Sequence, residues 1–118
     1  MLVQTPSKIF KTDFRIWTEG ENYLESILLK KEESTKHLIS VREIVCDENA
    51  DYRISFEENR TLILFPLYGE IIINDYYEKI IAGETLTFNT EKNNEVIIKN
   101  LLNNDKADFI LMEFEEQE

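Results

Sequence analysis

Few residues of this chain are equipped for chemistry. His37 is the only histidine, and it stands among Ser34, Thr35, Lys36 and Leu38 in a stretch that reads as a loop. A histidine can serve as a general base. A Ser–His nucleophile also needs a third group to orient it, and no glycine elbow surrounds any serine. The plain reading is a surface histidine. Cys46, the single cysteine, is followed by Asp47 and Glu48. Neighbouring carboxylates raise a thiol pKa, so a thiolate nucleophile is not expected, and a buried structural cysteine is.

The acidic residues fall in pairs, Asp47-Glu48 and Glu57-Glu58. Successive residues of a strand point to opposite faces, so neither pair converges on one atom. Asn103-Asn104-Asp105 with Asp108 offers oxygens to calcium, but without the glycine-spaced loop of such sites; a polar turn explains it. Of the aromatic residues, Tyr68, Tyr76 and Tyr77 cluster near one presumed hairpin, and Trp17 and Tyr23 lie early. Amphipathic rings of this kind line ligand mouths and oligomer interfaces. These five are the candidate ligand or interface residues. No catalytic residue and no metal ligand is assigned.

The chain has 118 residues, 42% of them hydrophobic, with three glycines and two prolines. That is one domain, residues 1–118, with a real core, no flexible linker and an acidic tail over 115–118. The net charge of −11 repels phosphate backbones and anionic lipid, so neither nucleic acid nor membrane is an expected partner. No apolar run approaches the ~20 residues of a membrane-spanning helix. The N-terminus is not a signal peptide. A lone cysteine allows no internal disulfide, which fits a reducing compartment, and the expected location is the cytoplasm.

The elements that must position these residues are short and strand-like. Tyr52, Ile54 and Phe56 alternate with Arg53 and Ser55, the period of a half-buried strand. Thr61–Leu67 and Glu70–Ile73 are rich in β-branched or bulky residues. Pro66 has no N–H for a ladder, so it marks an edge or a bulge, and Leu67-Tyr68-Gly69-Glu70 lets the chain bend. Asn74-Asp75 reads as a turn, with Tyr77–Ile81 returning from it. Ala82-Gly83-Glu84 is the next turn. Leu86 and Phe88 alternate with threonines, and Glu95–Leu101 and Ala107–Phe114 complete the series. Leu38–Cys46 is a further strand, with a bulge expected near Arg42-Glu43. Phe14–Trp17 is a weaker strand. Residues 21–36 stay open, because Leu24, Ile27 and Leu28 also recur at helical spacing. Strands every 8–12 residues with turns between them indicate an all-β sandwich or barrel.

The segment Asn59-Arg60-Thr61-Leu62-Ile63-Leu64-Phe65-Pro66-Leu67-Tyr68-Gly69-Glu70 resembles the middle of a cupin domain. Ile81-Ala82-Gly83-Glu84 is similar to the second cupin turn, with isoleucine in place of the usual proline. Lys8-Ile9-Phe10 and the stretch from Arg15 to Tyr23, followed by Leu64-Phe65-Pro66-Leu67-Tyr68-Gly69, resemble the N-terminal half of pirin-related proteins. The resemblance implies a cupin-like jelly roll (a double-stranded β-helix, as barrel or sandwich) in a single domain, with Tyr23–Leu29 as a strand.

It also implies a metal, and here the sequence departs from the pattern. Counting from Gly69, the histidine pair falls near Phe56 to Glu58 and the glutamate near Leu62. Counting from Gly83, the last histidine falls at Leu86. None is histidine, and Glu57 or Glu58 offers one oxygen at best. Phe56, Leu62 and Leu86 should fill the barrel instead, and few polar residues are expected to point inward. No cofactor is expected. The preferred reading is a metal-free, non-catalytic binding or interaction protein, with an unidentified small-molecule ligand. The alternative is a metal-independent cupin enzyme acting on a small sugar or organic molecule. Apolar edge strands suggest a homodimer.

Overall fold

A computed structural model describes residues 16–29, 37–56, 59–73, 78–90 and 95–115. Ten strands run through them: β1 (Thr18–Glu19), β2 (Tyr23–Leu29), β3 (Leu38–Cys46), β4 (Asp51–Ser55), β5 (Arg60–Tyr68), β6 (Glu70–Ile73), β7 (Ile80–Ile81), β8 (Leu86–Asn89), β9 (Glu95–Asn100) and β10 (Ala107–Glu115). One sheet has six strands in the order β1-β2-β3-β10-β5-β8, and the other has four in the order β4-β9-β6-β7. Every pairing is antiparallel. Among the described residues there is no helix, and so none long and apolar enough to cross a membrane.

The residues ambiguous between helix and strand resolve where they are described: Tyr23–Leu29 is a strand. Its helical spacing of leucines is overridden by pairing with β3, from Tyr23 opposite Cys46 to Leu29 opposite Val41. Residues 30–36 lie outside the described set, as do the expected Asn74-Asp75 turn and the start of its return strand, of which Ile80–Ile81 is described. Ile16 and Trp17 are not in a strand; the first one begins at Thr18.

The bulge expected near Arg42-Glu43 lies elsewhere. β3 passes through both residues in register with β10. The irregularities are on β2, between Ile27 and Leu29, and in the β3–β10 pairing, between Glu113 and Phe114. A one-residue slip turns every later side chain to the other face, so a bulge at Arg42 would have torn Ser40 and Ile44 from the same side. Pro66 behaves as expected. Its strand pairs with β8 only as far as Leu64, and against β10 the register shifts where Phe109 faces Pro66 and Asp108 faces Tyr68, leaving Leu67 as the extra residue.

Gly69 then turns the chain from the six-stranded sheet into the four-stranded one. Its φ is 104°, a conformation open to glycine at little cost. A Cβ there would also lie 3.1 Å from Ala107 Cβ and 3.2 Å from Leu102 Cδ1. Between the sheets lies a core of inward-facing positions. Ile44 and Cys46 come from β3, Leu62 and Leu64 from β5, Phe109 and Leu111 from β10, and Tyr52, Ile71 and Ile98 from the opposite sheet. Alternation along each strand accounts for this set.

One polar side chain ties the loops at the β3 end. Asn100 is fully buried. Its Nδ2 donates to the carbonyls of Cys46 (3.3 Å), Asp47 (3.0 Å) and Asp105 (2.9 Å), and its Oδ1 accepts from the Leu102 N–H at 2.9 Å. Buried backbone groups need partners, and this amide supplies them to the end of β3 and to the β9–β10 connection at once.

Candidate functional site

The inward face of the six-stranded sheet is not apolar throughout. Ser40 and Arg42 share the face of Ile44 and Cys46 on β3. Glu113 continues the row of Phe109 and Leu111 on β10, Arg60 that of Leu62 on β5, and Glu25 that of Tyr23 on β2. These residues come from four adjacent strands and meet in one cluster, against Tyr52 and Phe56 of the opposite sheet. The sparse inward polarity expected from the sequence is therefore corrected.

Arg42 is the hub. Its Nη1 donates to Glu25 Oε2 at 3.3 Å and its Nη2 to Ser40 Oγ at 3.2 Å, with Glu113 Oε1 at 4.0 Å. Ser40 Oγ donates in turn to Glu113 Oε1 at 3.3 Å, and Arg60 Nε to Glu113 Oε2 at 3.1 Å. The Tyr52 hydroxyl donates to the same Glu25 oxygen. The Arg42 guanidinium carbon stands 6.0 Å from the centre of the Phe56 ring, within cation–π range. Two guanidinium groups thus face two carboxylates.

The side chains of Arg42, Glu25, Glu113 and Arg60 remain 15%, 18%, 12% and 19% exposed, so the cluster meets solvent without lying open to it. Burial works against the Arg42 charge, but Tyr52 and Glu25 more than offset it and raise its pKa. Burial raises the Tyr52 pKa, and the hydrogen bond to the Glu25 carboxylate adds to the rise; Tyr52 keeps its proton. Arg42 Nε is buried with no hydrogen-bond partner.

The positions at which the cupin pattern places metal ligands adjoin this cluster. Phe56 is 8% and Leu62 0% exposed, both in the core, and Leu86 is a half-buried residue at the edge of that core, opposite Leu64. Their side chains have no lone pair to give. Glu57 and Glu58 lie outside the described residues. Among the described residues, no group of three or more His, Cys, Asp or Glu side chains could hold a metal ion. The donor set needed for a transition-metal centre does not fit the residues at these positions.

The five aromatic candidates do not converge. Tyr23 packs edge-on against Tyr52, ring centres 4.8 Å apart, and borders an outer cleft of 690 Å³ walled by Glu21, Glu48, Asp51, Arg53 and Lys99. Tyr68 is exposed and donates to Asp105 Oδ2 at 2.5 Å. Trp17 is 38% exposed. Tyr76 and Tyr77 lie outside the described residues. His37 is exposed at the start of β3, where its carbonyl accepts from the Glu115 N–H at 2.7 Å. Cys46 is fully buried, and burial with nearby Asp47 and Asp51 pushes its thiol up to about 11.

Sequence reasoning missed Arg42, Glu25, Glu113, Ser40 and Arg60 as site residues. The signal was the alternation itself: Arg42 is two residues before Ile44, and Glu113 two after Leu111. Each shares the inward face of the apolar residue two positions away.

No family model matches the sequence, and no curated protein does. Solved structures do match in shape. The cupin domain of an XRE-family transcriptional regulator from Enterobacter cloacae superposes with a TM-score of 0.67 at 11% identity, covering 82% of this chain and all of that one. An RmlC-like cupin from Shewanella frigidimarina gives 0.66 at 13%, over 95% of both chains. A predicted oxalate decarboxylase from Thermotoga maritima gives 0.70 at 15%, over 91% of this chain and 98% of that one. At these identities the likeness is one of fold, and the fold of this chain is the cupin jelly roll.

Proposed function

We propose that this protein is a metal-free cupin-fold binding protein that holds a small polar molecule at the Glu25–Arg42–Glu113 cluster. The observation that carries this is the placing of paired charges on barrel-facing positions. An apolar filling of the same volume would be as stable or more so, so stability alone does not account for them. Phe56, Leu62 and Leu86 at the ligand positions of the cupin pattern support a role without metal.

A second reading, a metal-independent enzyme, draws on one contact. The Tyr52 hydroxyl donates to the Glu25 carboxylate inside the barrel, and such a pair can act as acid and base. The binding reading is preferred because Tyr52 is 1% exposed, with its hydroxyl already committed to Glu25.

The protein is further taken to act as a homodimer in the cytoplasm. Its net charge of −11 argues against nucleic-acid or anionic-membrane partners. The pirin likeness rests on the sequence segments alone.

The test is a metabolite screen read by thermal shift, with metal analysis of the purified protein. A ligand that raises Tm in the native chain but not in Arg42→Met supports the reading. A blank screen, or stoichiometric iron, manganese or zinc, overturns it.

A further inference from the structure

Resting on the homodimer proposed above, and independent of the charged cluster, we infer that two copies of the chain join face to face through the outer surface of the six-stranded sheet. The observation is apolar side chains on both faces of its middle strands. A sheet with one face in the core and the other in water alternates apolar with polar residues. β5 instead runs Leu62-Ile63-Leu64-Phe65, and β10 runs Phe109-Ile110-Leu111-Met112. Leu62, Leu64, Phe109 and Leu111 fill the core between the sheets. Their neighbours Ile63, Phe65, Ile110 and Met112 point the other way. The ladders set Ile110 beside Phe65, and Met112 beside both Ile63 and Val41. Val45 extends this patch along β3. All the described strands belong to the two sheets, so none lies over it. The outer face of the four-stranded sheet is different, with Asp51 and Arg53 on β4, Glu95 and Lys99 on β9 and Glu70 on β6.

Width, charge and symmetry select a second copy as the occupant. The long strands β2, β3, β10 and β5 lie side by side, about 19 Å across at ~4.8 Å per strand. A single extended segment covers the width of one strand, so whatever covers the patch is itself a broad surface. Four strands of about eight residues give roughly 500 Å² per copy, or about 1,000 Å² for two, which reaches the lower bound of a specific interface. The chain carries a net charge of −11, which draws basic partners to its acidic surfaces. The patch itself is uncharged, bordered by Glu43 and Asp108, so two like-charged copies meet here with least repulsion. Two identical sheets also share one twist, which lets them stack aligned at about −30° around a twofold axis. The sheet edges serve less well: β1 and β7 are two residues long, and such short edges resist pairing between chains.

The test is sedimentation velocity of the full chain at low and high salt. The native protein should sediment at twice the mass of one chain. Salt should hold or strengthen the pair, because it screens the like net charges of the two copies; a pair that salt dissociates is held by ions and overturns the inference. Ile63→Lys and Met112→Lys should each weaken the dimer at least tenfold. Ile97→Lys, on the outer face of the four-stranded sheet, should leave it intact. Circular dichroism checks that each variant keeps its strands. Should a lysine in the patch prevent folding, the native chain decides. A soluble paramagnetic probe should relax the Met112 methyl more strongly on dilution than at high concentration, and no such dependence overturns the inference. A native dimer that survives both patch variants overturns the face but keeps the homodimer. A native monomer overturns both, and leaves the patch to another protein or to residues 1–15 of the same chain. Neither result touches the ligand reading, which the metabolite screen decides.

Discussion

Arg42 and Glu25 face each other diagonally across the β2–β3 ladder, Nη1 to Oε2 at 3.3 Å, with side chains 15% and 18% exposed. Ile27 is the ladder partner of Arg42, and Ile44 that of Glu25, so the ion pair joins two rungs. Removing one partner leaves the other charge partly buried and alone. Arg42→Met should therefore destabilise the fold by about 3 kcal/mol. Glu25→Gln, which still accepts a hydrogen bond, should cost about 1 kcal/mol. Urea unfolding at neutral pH measures both, and equal losses would contradict the account.

Asn100 gives a sharper contrast. Asn100→Ala removes a donor shared by three carbonyls and an acceptor for Leu102 N–H, and should cost about 3 kcal/mol. Asn100→Asp is nearly isosteric but sets a carboxylate against those carbonyls. It should be the worse of the two at pH 7. Thermal denaturation of the pair decides, and a milder effect for aspartate would show that shape rather than polarity matters here.

Two glycines with positive φ separate strain from crowding. At Gly83, φ is 95° and nothing lies within 4 Å of an added Cβ; at Gly69 an added Cβ meets Ala107 and Leu102 at 3.1–3.2 Å. Gly83→Ala should cost about 1 kcal/mol from backbone strain alone. Gly69→Ala should cost more, about 2–3 kcal/mol, because the corner between the sheets must also shift. Chemical denaturation midpoints of the two variants provide the comparison.

Alkaline pH should weaken the fold. The Cys46 thiol is pushed up to about 11 from 9.0, chiefly by burial, and Tyr52 is shifted in the same direction. Above pH 9 the unfolded chain releases the Cys46 proton first, so the unfolded state binds fewer protons and stability falls as pH rises. The contribution is complete below pH 9 and declines by about 1.4 kcal/mol per pH unit up to pH 11. Urea midpoints from pH 8 to 11 should show this slope, and Cys46→Ala should flatten it. An unchanged slope in the variant would assign the loss to other groups.

By itself the sequence determined the strands and their faces. The run Leu38–Cys46 and the alternation of Tyr52, Ile54 and Phe56 mark surfaces apolar on one side, and such segments bury themselves only by stacking sheets. The bend at Pro66 and Gly69 was legible because proline lacks an N–H and glycine tolerates positive φ. Phe56, Leu62 and Leu86 were legible as apolar filling, because a hydrocarbon side chain has no other use at an inward position. The spacing within Tyr23–Leu29 suits a helix as well as a strand; the cupin resemblance pointed to the strand, and pairing with β3 is what makes it one. Tertiary structure alone decided the cluster. Glu25, Arg42, Arg60 and Glu113 are distant in sequence and each looks like a solvated strand residue. Their charges match only where four strands lie side by side, and a linear pattern carries the periodicity of one strand but not the register between strands.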